Sequence, residues 1–321
     1  MKSIKDLQQI IEKELVGISF PDNPADLYAP IDYVLSLGGK RMRPILLLLA
    51  HQLFNQNISA AIRPALGIEV FHNFTLLHDD IMDDASLRRG QQTVHEKWSP
   101  NVAILSGDTM LVQAYQLMSE VPAEVLKTSL DVFSKTAVEV CEGQQWDMDF
   151  EERDDVTIPE YLKMIECKTA VLLAGALKIG ALIGGANEEQ AQHLHEFGRN
   201  IGIAFQLKDD LLDVFGDQYK FGKQMGGDIL SNKKTYLYLQ SLVVADGNQK
   251  EELQHWFASK EYEGKQKVKA VKALYECLEI KKITTDLMHE YHQQAITHLQ
   301  KIEGDKSGLE QFAAMLLKRE N

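Results

Sequence analysis

Two short segments of this chain place three aspartates at the same spacing. The first, DDIMD, holds Asp79, Asp80 and Asp83, and the second, DDLLD, holds Asp209, Asp210 and Asp213. On a helix, side chains four residues apart lie one above the other, so each segment crowds like charges that repel one another. A divalent cation reverses that repulsion, and Mg²⁺ prefers carboxylate, water and phosphate oxygens. One such triad is equally well explained as a solvated acidic helix face, whereas two favour a clamp that holds several metal ions around one diphosphate.

Basic side chains accompany both triads, as ligands of phosphate groups would. They are Arg88 and Arg89 after the first triad, Lys168 with Thr169 in ECKTA, Lys223 and Lys233 around a glycine-rich break, and Lys40, Arg41 and Arg43 in GGKRMRP. The planar guanidinium of arginine suits bidentate phosphate contacts, and lysine acts as a point charge. Each basic residue taken alone is explained as a surface residue, but the whole set favours a site for metal ions and phosphates.

The hydrophobic pattern that must position these residues is helical nearly throughout. Ile203, Leu207, Leu211 and Val214 recur every three or four residues, and no run of alternating β-branched residues indicates a sheet. We predict helices at about 3–15, 26–36, 42–55, 59–84, 101–119, 122–147, 159–185, 188–215, 233–244, 263–300 and 308–319. The pattern predicts one all-α domain over residues 1–321.

Composition excludes several classes of protein. The 321 residues carry a formal charge of −13, from 47 acidic and 34 basic side chains, which argues against nucleic acid as the main partner. Three cysteines without CxxC spacing indicate reduced thiols and a cytoplasmic protein. The apolar stretch 170–186 is interrupted by Lys178, and we interpret it as a core helix because it contains many small residues. The N-terminal segment has the pattern of an amphipathic helix, so we predict neither a signal peptide nor a transmembrane segment.

In chain order, these segments resemble motifs of the trans-isoprenyl diphosphate (polyprenyl) synthases. GGKRMRP resembles the GGKRxRP segment of the family, and DDIMDDASLRRG resembles its first aspartate-rich motif. GQQWD, from Gly143 to Asp147, resembles GQxxD, and Lys168-Thr169 resembles the KT pair. FQLKDDLLDVFGD and GKQMGGDILSNKKT resemble the second aspartate-rich motif and its lysine-bearing continuation. The resemblance covers almost the whole chain.

The resemblance implies a single large helical bundle of about ten or more helices around a central active-site cavity. It implies that Asp79, Asp83 and Asp209 are the principal Mg²⁺ ligands, with Asp80, Asp210 and Asp213 completing or orienting the shells. Arg88, Lys168, Thr169, Lys223, Lys233 and Gln206 would bind the allylic diphosphate. Lys40, Arg43, His72 and Arg89 would bind the diphosphate of isopentenyl diphosphate. Asp84 has no role in these assignments.

The implied reaction is ionisation, condensation and elimination. Several Mg²⁺ ions and the basic side chains would neutralise the diphosphate so that it leaves the allylic carbon, and Mn²⁺ is a candidate substitute for Mg²⁺. The double bond of isopentenyl diphosphate then attacks the allylic cation, which oxygens of Thr169 and Gln206 could stabilise. The catalytic set so implied is Asp79, Asp80, Asp83, Lys168, Thr169, Gln206, Asp209 and Lys223. The resemblance also implies a homodimer.

The length of the product should depend on the residues before the first triad. Phe74 lies five residues before Asp79 and Thr75 lies four before it. In the resembled family a bulky residue at the fifth position helps to close the elongation tunnel, so FTLLHDDIMD favours geranylgeranyl diphosphate as product, with farnesyl diphosphate as the alternative. Ordinary core packing also explains Phe74.

Other classes of protein explain the pattern less well. Terpene cyclases and head-to-head synthases have different second metal motifs, and a non-catalytic subunit of a heteromeric synthase tends to lose an aspartate motif. In a helical scaffold with acidic surfaces, the two triads would face solvent apart from each other. Diphosphate-dependent Mg²⁺ binding distinguishes an enzyme from such a scaffold.

Overall fold

The structure is a computed structural model that describes residues 1–216, 226–258 and 263–318. The helices are α1 (Ile4–Val16), α2 (Ala25–Ser36), α3 (Met42–Gln52), α4 (Ser59–Met82), α5 (Val94–Lys97), α6 (Pro100–Met118), α7 (Ala123–Glu152), α8 (Ile158–Ile165), α9 (Val171–Gly184), α10 (Glu188–Phe215), α11 (Gly227–Leu230), α12 (Tyr236–Val244), α13 (Gly247–Ala258), α14 (Gly264–Cys277), α15 (Ile280–Gln300) and α16 (Ser307–Lys318). A π-helical turn, Glu166–Ala170, joins α8 to α9, and strands β1 (Leu87–Arg88) and β2 (Gln91–Gln92) form an antiparallel hairpin. The all-α fold is confirmed.

Local sequence signals start several of these helices. Ser3 and Thr157 form capping boxes at the beginnings of α1 and α8, each with a carboxylate three residues later. Pro100 occupies the first turn of α6, where its missing N–H leaves no hydrogen bond unmade. These signals explain why several predicted helix starts agree with the structure within one or two residues.

Several local features differ from the prediction. The predicted helix 263–300 is two helices, because Glu279 between them has a positive φ of 53° that no α-helix continues through. Helix α13 was not predicted, since its mostly polar sequence has little apolar periodicity. The β1–β2 hairpin was also missed, because each strand has only two residues and leaves no alternating pattern.

The described chain divides into two compact units. The first comprises Met1–Ser134, Gly175–Leu194 and Ile302–Leu309. Its core includes α3, whose residues from Pro44 to Gln52 are all buried, and the middle of α4. The first aspartate triad, the hairpin and GGKRMRP all belong to this unit.

The second unit comprises Lys135–Ala174, His195–Lys301 and the chain from Glu310 onward. Its core is a cluster of buried side chains that includes Leu207, Leu237, Val271 and Tyr275. The second aspartate triad, the GQQWD segment and the Lys168-Thr169 pair belong to this unit. The prediction of one domain over residues 1–321 remains a prediction.

Within the described residues, the segment Ile158–Gly184 is long and apolar enough to cross a membrane. Its most apolar stretch is 83% buried inside the protein. This burial agrees with the interpretation of the apolar stretch as a core helix.

Candidate active site

The first aspartate triad lies at the C-terminal end of α4. Asp79 and Asp80 belong to the last turn, and Asp83 is the first residue beyond the helix. Asp80 is buried, Asp79 is half-buried and Asp83 is exposed. The carboxylates concentrate negative charge at the end of the helix that the macrodipole also makes negative, so the cluster attracts cations strongly.

Arg88 supplies one of those cations. Its Nε donates to both carboxylate oxygens of Asp80, at 2.7 and 2.9 Å, and its Nη2 lies 3.6 Å from Asp79 Oδ2. The hairpin makes this contact possible, because Arg89 and Gly90 both have positive φ, 54° and 76°, and reverse the chain in two residues. The acidic and basic parts of DDIMDDASLRRG are therefore in direct contact.

A second group of basic residues lies in the same unit. Arg43 Nη1 donates to His72 Nε2 at 3.0 Å, which requires a neutral His72 ring. Burial and the charges of Arg43 and Arg89 hold the pKa of His72 well below its usual range. The guanidinium of Arg89 packs on Gly39, whereas Lys40 is exposed. The structure thus brings Arg43 and His72 into direct contact and sets a strongly positive environment around them.

Arg41 has a different position from the other basic residues of GGKRMRP. It is 6% exposed, and its Nη1 donates to Glu69 Oε1 at 2.6 Å while its Nη2 donates to the Leu35 carbonyl at 2.8 Å. Asn73 Nδ2 donates to the same Glu69 oxygen at 3.2 Å. Glu69 was not among the predicted site residues, although a single acidic residue in an otherwise apolar stretch of α4 could have indicated a buried ion pair.

The second triad lies near the end of α10. Asp210 is 3% exposed, and its Oδ2 accepts a hydrogen bond of 2.5 Å from the Tyr161 hydroxyl. Gln206 Nε2, one turn earlier, donates to Asp210 Oδ1 at 3.3 Å. Burial, with the charge of Asp228 nearby, raises the pKa of Asp210 to about 8. Without a cation, this carboxyl group therefore retains its proton at neutral pH.

Asp213 accepts backbone hydrogen bonds. The N–H groups of Gly227 and Asp228 donate to its two carboxylate oxygens, both at 3.1 Å. This arrangement anchors the beginning of α11 to the triad and places Asp228 close to Asp210. Asp228 belongs to the segment GKQMGGDILSNKKT, but no role was predicted for it.

Lys168 and Thr169 are presented by the π-helical turn. Lys168 Nζ donates to Asp147 Oδ2 at 2.5 Å, and Thr169 Oγ1 donates to Gln206 Oε1 at 3.2 Å. A Cβ at Gly143 would lie 2.2 Å from the Lys168 backbone nitrogen, so only glycine lets α7 approach the turn this closely. In GQQWD, Gly143 thus permits the close contact between α7 and the turn, and Asp147, one helical turn later, pairs with Lys168. Wide helical turns of this kind are frequent at functional sites.

A cavity of about 120 Å³ lies beside these groups in the second unit. Its polar lining consists of Asp147, Glu151, Tyr161, Lys168, Thr169, Gln206, Asp210, Asp228, Lys233, Lys234 and Thr235. The lining includes both carboxylates and ammonium groups, which suits a complex of a divalent cation with a phosphate better than either ion alone. Lys233 lines this cavity and its role in binding phosphate stays a prediction, whereas the predicted Lys223 lies outside the described residues.

Phe74 and Thr75 point in different directions from α4. Phe74 is 8% exposed and packs against Phe71 and His78, with ring centroids 5.6 and 4.7 Å away. Thr75 is half-buried, and its hydroxyl donates to the His72 carbonyl at 2.8 Å. Phe74 therefore belongs to an aromatic cluster, and the role of both residues in chain length stays a prediction.

The pKa of Asp210 makes the stability of the metal-free protein depend on pH. An ordinary aspartate loses its proton near pH 3.8, so between about pH 4 and 8 the folded protein holds a proton that the unfolded chain has lost. The free energy of unfolding should therefore fall as the pH rises through this window, by at most about 1.4 kcal/mol per pH unit from this group.

Urea unfolding with EDTA at pH 5 and at pH 7.5 measures this effect. Asp210→Asn, which mimics the neutral group, should lose less stability over this interval than the wild type. Asp131→Asn, a change at an exposed carboxylate, should behave like the wild type. Equal losses in all three proteins would show that Asp210 is already ionised at pH 5.

Comparison with known proteins adds to this geometry. The family model for polyprenyl synthetase matches residues 24–278. The chain belongs to the polyprenyl synthetase family. It is 48% identical over 221 residues, 68% of each chain, to the geranylgeranyl diphosphate synthase of Methanosarcina mazei. It is 42% identical over 258 residues, 74% of this chain and 75% of the other, to the geranylfarnesyl diphosphate synthase of Natronomonas pharaonis. A crystal structure of a geranylgeranyl pyrophosphate synthase superposes with a TM-score of 0.94, at 44% identity over 100% of both chains.

These comparisons confirm the family, the isoprenoid synthase fold and the assignment of the chain as an enzyme. The synthase family is one that uses divalent metal ions. The individual roles of the aspartates, lysines and arginines remain predictions, which the contacts above make specific enough to test.

Proposed function

We propose that this polyprenyl synthetase transfers allylic prenyl groups to isopentenyl diphosphate and makes geranylgeranyl diphosphate, with release of diphosphate. The observation that carries the proposal is that basic residues lie beside each aspartate triad. Arg88 forms an ion pair with Asp80 of the first triad. Lys168 and Lys233 line the same cavity as Asp210 of the second triad. Dimethylallyl, geranyl and farnesyl diphosphates are the proposed allylic substrates.

The donor set fits Mg²⁺. Both triads offer only carboxylate oxygens, the ligands that this hard cation prefers, and no cysteine takes part in either triad. Asp79, Asp83 and Asp209 are the proposed principal ligands, and Asp80, Asp210 and Asp213 orient or complete the shells. The bound ions would neutralise the negative charge of the diphosphate leaving group.

The side chains of the chain itself perform the other steps. Arg88, Lys168, Lys233 and the undescribed Lys223 hold the allylic diphosphate, while Lys40, Arg43, His72 and Arg89 hold that of isopentenyl diphosphate. The Nε2 atom of the neutral His72 ring can accept one hydrogen bond. It accepts this bond from Arg43, which fixes the position of the Arg43 guanidinium. Thr169 and Gln206, hydrogen-bonded to each other, present oxygens that stabilise the allylic cation.

Incubation of the pure protein with Mg²⁺, isopentenyl diphosphate and each allylic substrate, followed by analysis of product length, tests this function. We expect elongation from all three allylic substrates and a 20-carbon product. An absence of elongation with every substrate would refute prenyl transfer. A product that stops at farnesyl or continues to geranylfarnesyl diphosphate would refute only the proposed length.

Replacement of Phe74 by alanine tests the control of product length. We expect products longer by at least one isoprene unit, because removal of a large side chain before the first triad opens space for the growing chain. The same change should lower the free energy of unfolding by about 3–5 kcal/mol. Phe71→Ala, in the same aromatic cluster, provides a control with a similar stability cost. Equal product lengths in both variants and the wild type would assign Phe74 to core packing alone.

We further propose that the enzyme is a cytoplasmic homodimer. Helix α6 exposes three large apolar side chains, Ile104, Leu105 and Val112, at 42%, 59% and 59%. An apolar surface of this kind supports association with a second copy. Sedimentation analysis should give twice the mass of one chain, and Leu105→Lys should shift the protein toward the monomer.

A further inference from the structure

A histidine and two carboxylates lie close together beside the hairpin, and none of the three has a role in the assignments above. They are Asp84, His95 and Glu96, and one potential ligand atom from each lies within 4.8 Å of the other two. Asp84 follows the first triad without a role in it, and the other two residues belong to α5. Three side chains of types that bind transition metals therefore converge at one place.

The histidine of this group is buried, and it has no hydrogen-bond partner among the residues that the structure describes. Its side chain is 6% exposed, and neither ring nitrogen makes a hydrogen bond within the described parts of the chain. Buried polar groups nearly always have a partner, because an unmade bond costs free energy. The nearest carboxylate atom, Glu96 Oε1, is 3.8 Å from Nε2, too far for a hydrogen bond.

That separation suits two ligands of one metal ion. An ion about 2.1 Å from each ligand atom holds tetrahedral ligands about 3.4 Å apart and opposed ligands about 4.2 Å apart. Asp84 and Glu96 are both exposed, so small changes of their side-chain torsions complete the approach. The buried imidazole provides the fixed member of the set.

The charge of the group also favours a cation. Among the described residues, no lysine or arginine makes an ion pair with either Asp84 or Glu96. The adjacent Lys97 instead places its ammonium group 3.7 Å from the centre of the Tyr33 ring. Within the described parts of the chain, these two carboxylates thus lack a lysine or arginine partner, although the neighbouring Asp80 has Arg88.

We propose that Asp84, His95 and Glu96 bind one Zn²⁺ ion, with water completing the shell. Imidazole nitrogen is a good ligand for Zn²⁺ and a poor one for Mg²⁺, so this site differs in kind from the aspartate triads. The ligands lie on both sides of the segment 85–93, which carries Arg88 and Arg89. The ion therefore ties together the two ends of the hairpin that presents both arginines.

Titration of metal-free protein with Co²⁺, a coloured substitute for Zn²⁺, tests the site in the presence of excess Mg²⁺ to occupy all-oxygen sites. We expect one equivalent of Co²⁺ with visible absorption, displaced by Zn²⁺. Asp84→Asn and Glu96→Gln each remove an exposed ligand and should weaken Co²⁺ binding by about tenfold or more. His95→Gln should abolish the absorption, and if this variant does not fold, the two exposed ligands decide the question.

Two controls define the outcome. His255→Gln removes an exposed histidine and should bind Co²⁺ as the wild type does. Asp79→Asn should also retain the absorption, because its carboxylate belongs to the first triad. Wild-type affinity in Asp84→Asn and Glu96→Gln would overturn the proposal. Loss of the absorption in Asp79→Asn alone would overturn it as well and assign the ion to the triad.

Discussion

Replacement of Asp79 by asparagine should lower kcat by about 10²–10³-fold or more, the cost of removing one preorganised electrostatic group from a reaction that develops charge. The amide keeps the size of the side chain but removes a negative charge from the end of α4. Arg88, which now contacts both Asp79 and Asp80, should then neutralise the remaining carboxylate and weaken cation binding further. Steady-state assays and calorimetric titration of Mg²⁺ with inorganic diphosphate measure the two effects.

Asp209→Asn should produce a loss of the same order. If both triads act on the same diphosphate, the double variant should lose much less than the product of the two single losses, because one absent contact already disrupts the unit. Asp131→Asn, at an exposed ion pair with Lys127, should retain wild-type activity. Multiplicative losses in the double variant would indicate two independent sites for cations.

Replacement of Lys168 by methionine should lower kcat/KM for the allylic substrate by about 10²–10³-fold. Methionine keeps the approximate length of the side chain and removes the positive charge, which we propose binds the diphosphate. The π-helical turn and Gly143 hold this residue in place at the second-unit cavity, so no neighbouring lysine on the same turn can replace it. Single-turnover assays with varied geranyl diphosphate measure the loss.

Lys163→Met provides the matched control, since Lys163 lies five residues earlier and forms an exposed ion pair with Glu166. It should change kcat/KM by less than about twofold, as expected for a surface ion pair of small energy. Asp147→Asn should have an intermediate effect of about tenfold, because Asp147 positions Lys168 through the hydrogen bond of 2.5 Å. Equal activities of the two lysine variants would exclude Lys168 from substrate binding.

Several particular features could be predicted from the sequence. The spacing of Asp79, Asp80 and Asp83 fixed their place at one helix end, because apolar periodicity and helix geometry act over three or four residues. The same reasoning placed Asp209, Asp210 and Asp213 on α10. The hairpin escaped prediction, since its turn depends on positive φ angles at Arg89 and Gly90 and not on an alternating pattern.

By itself, the sequence determined the helical class, the two acidic segments and the set of basic residues that we assign to a diphosphate site. Only the tertiary structure decided the partner of each side chain. Asp210 accepts a hydrogen bond from the hydroxyl of Tyr161, which is 49 residues away in the sequence. Lys168 donates to the carboxylate of Asp147, which is 21 residues away. Local periodicity carries no information about such pairs, because they form only when helices pack. Packing likewise buried Arg41 against Glu69 while its neighbours in GGKRMRP took other positions.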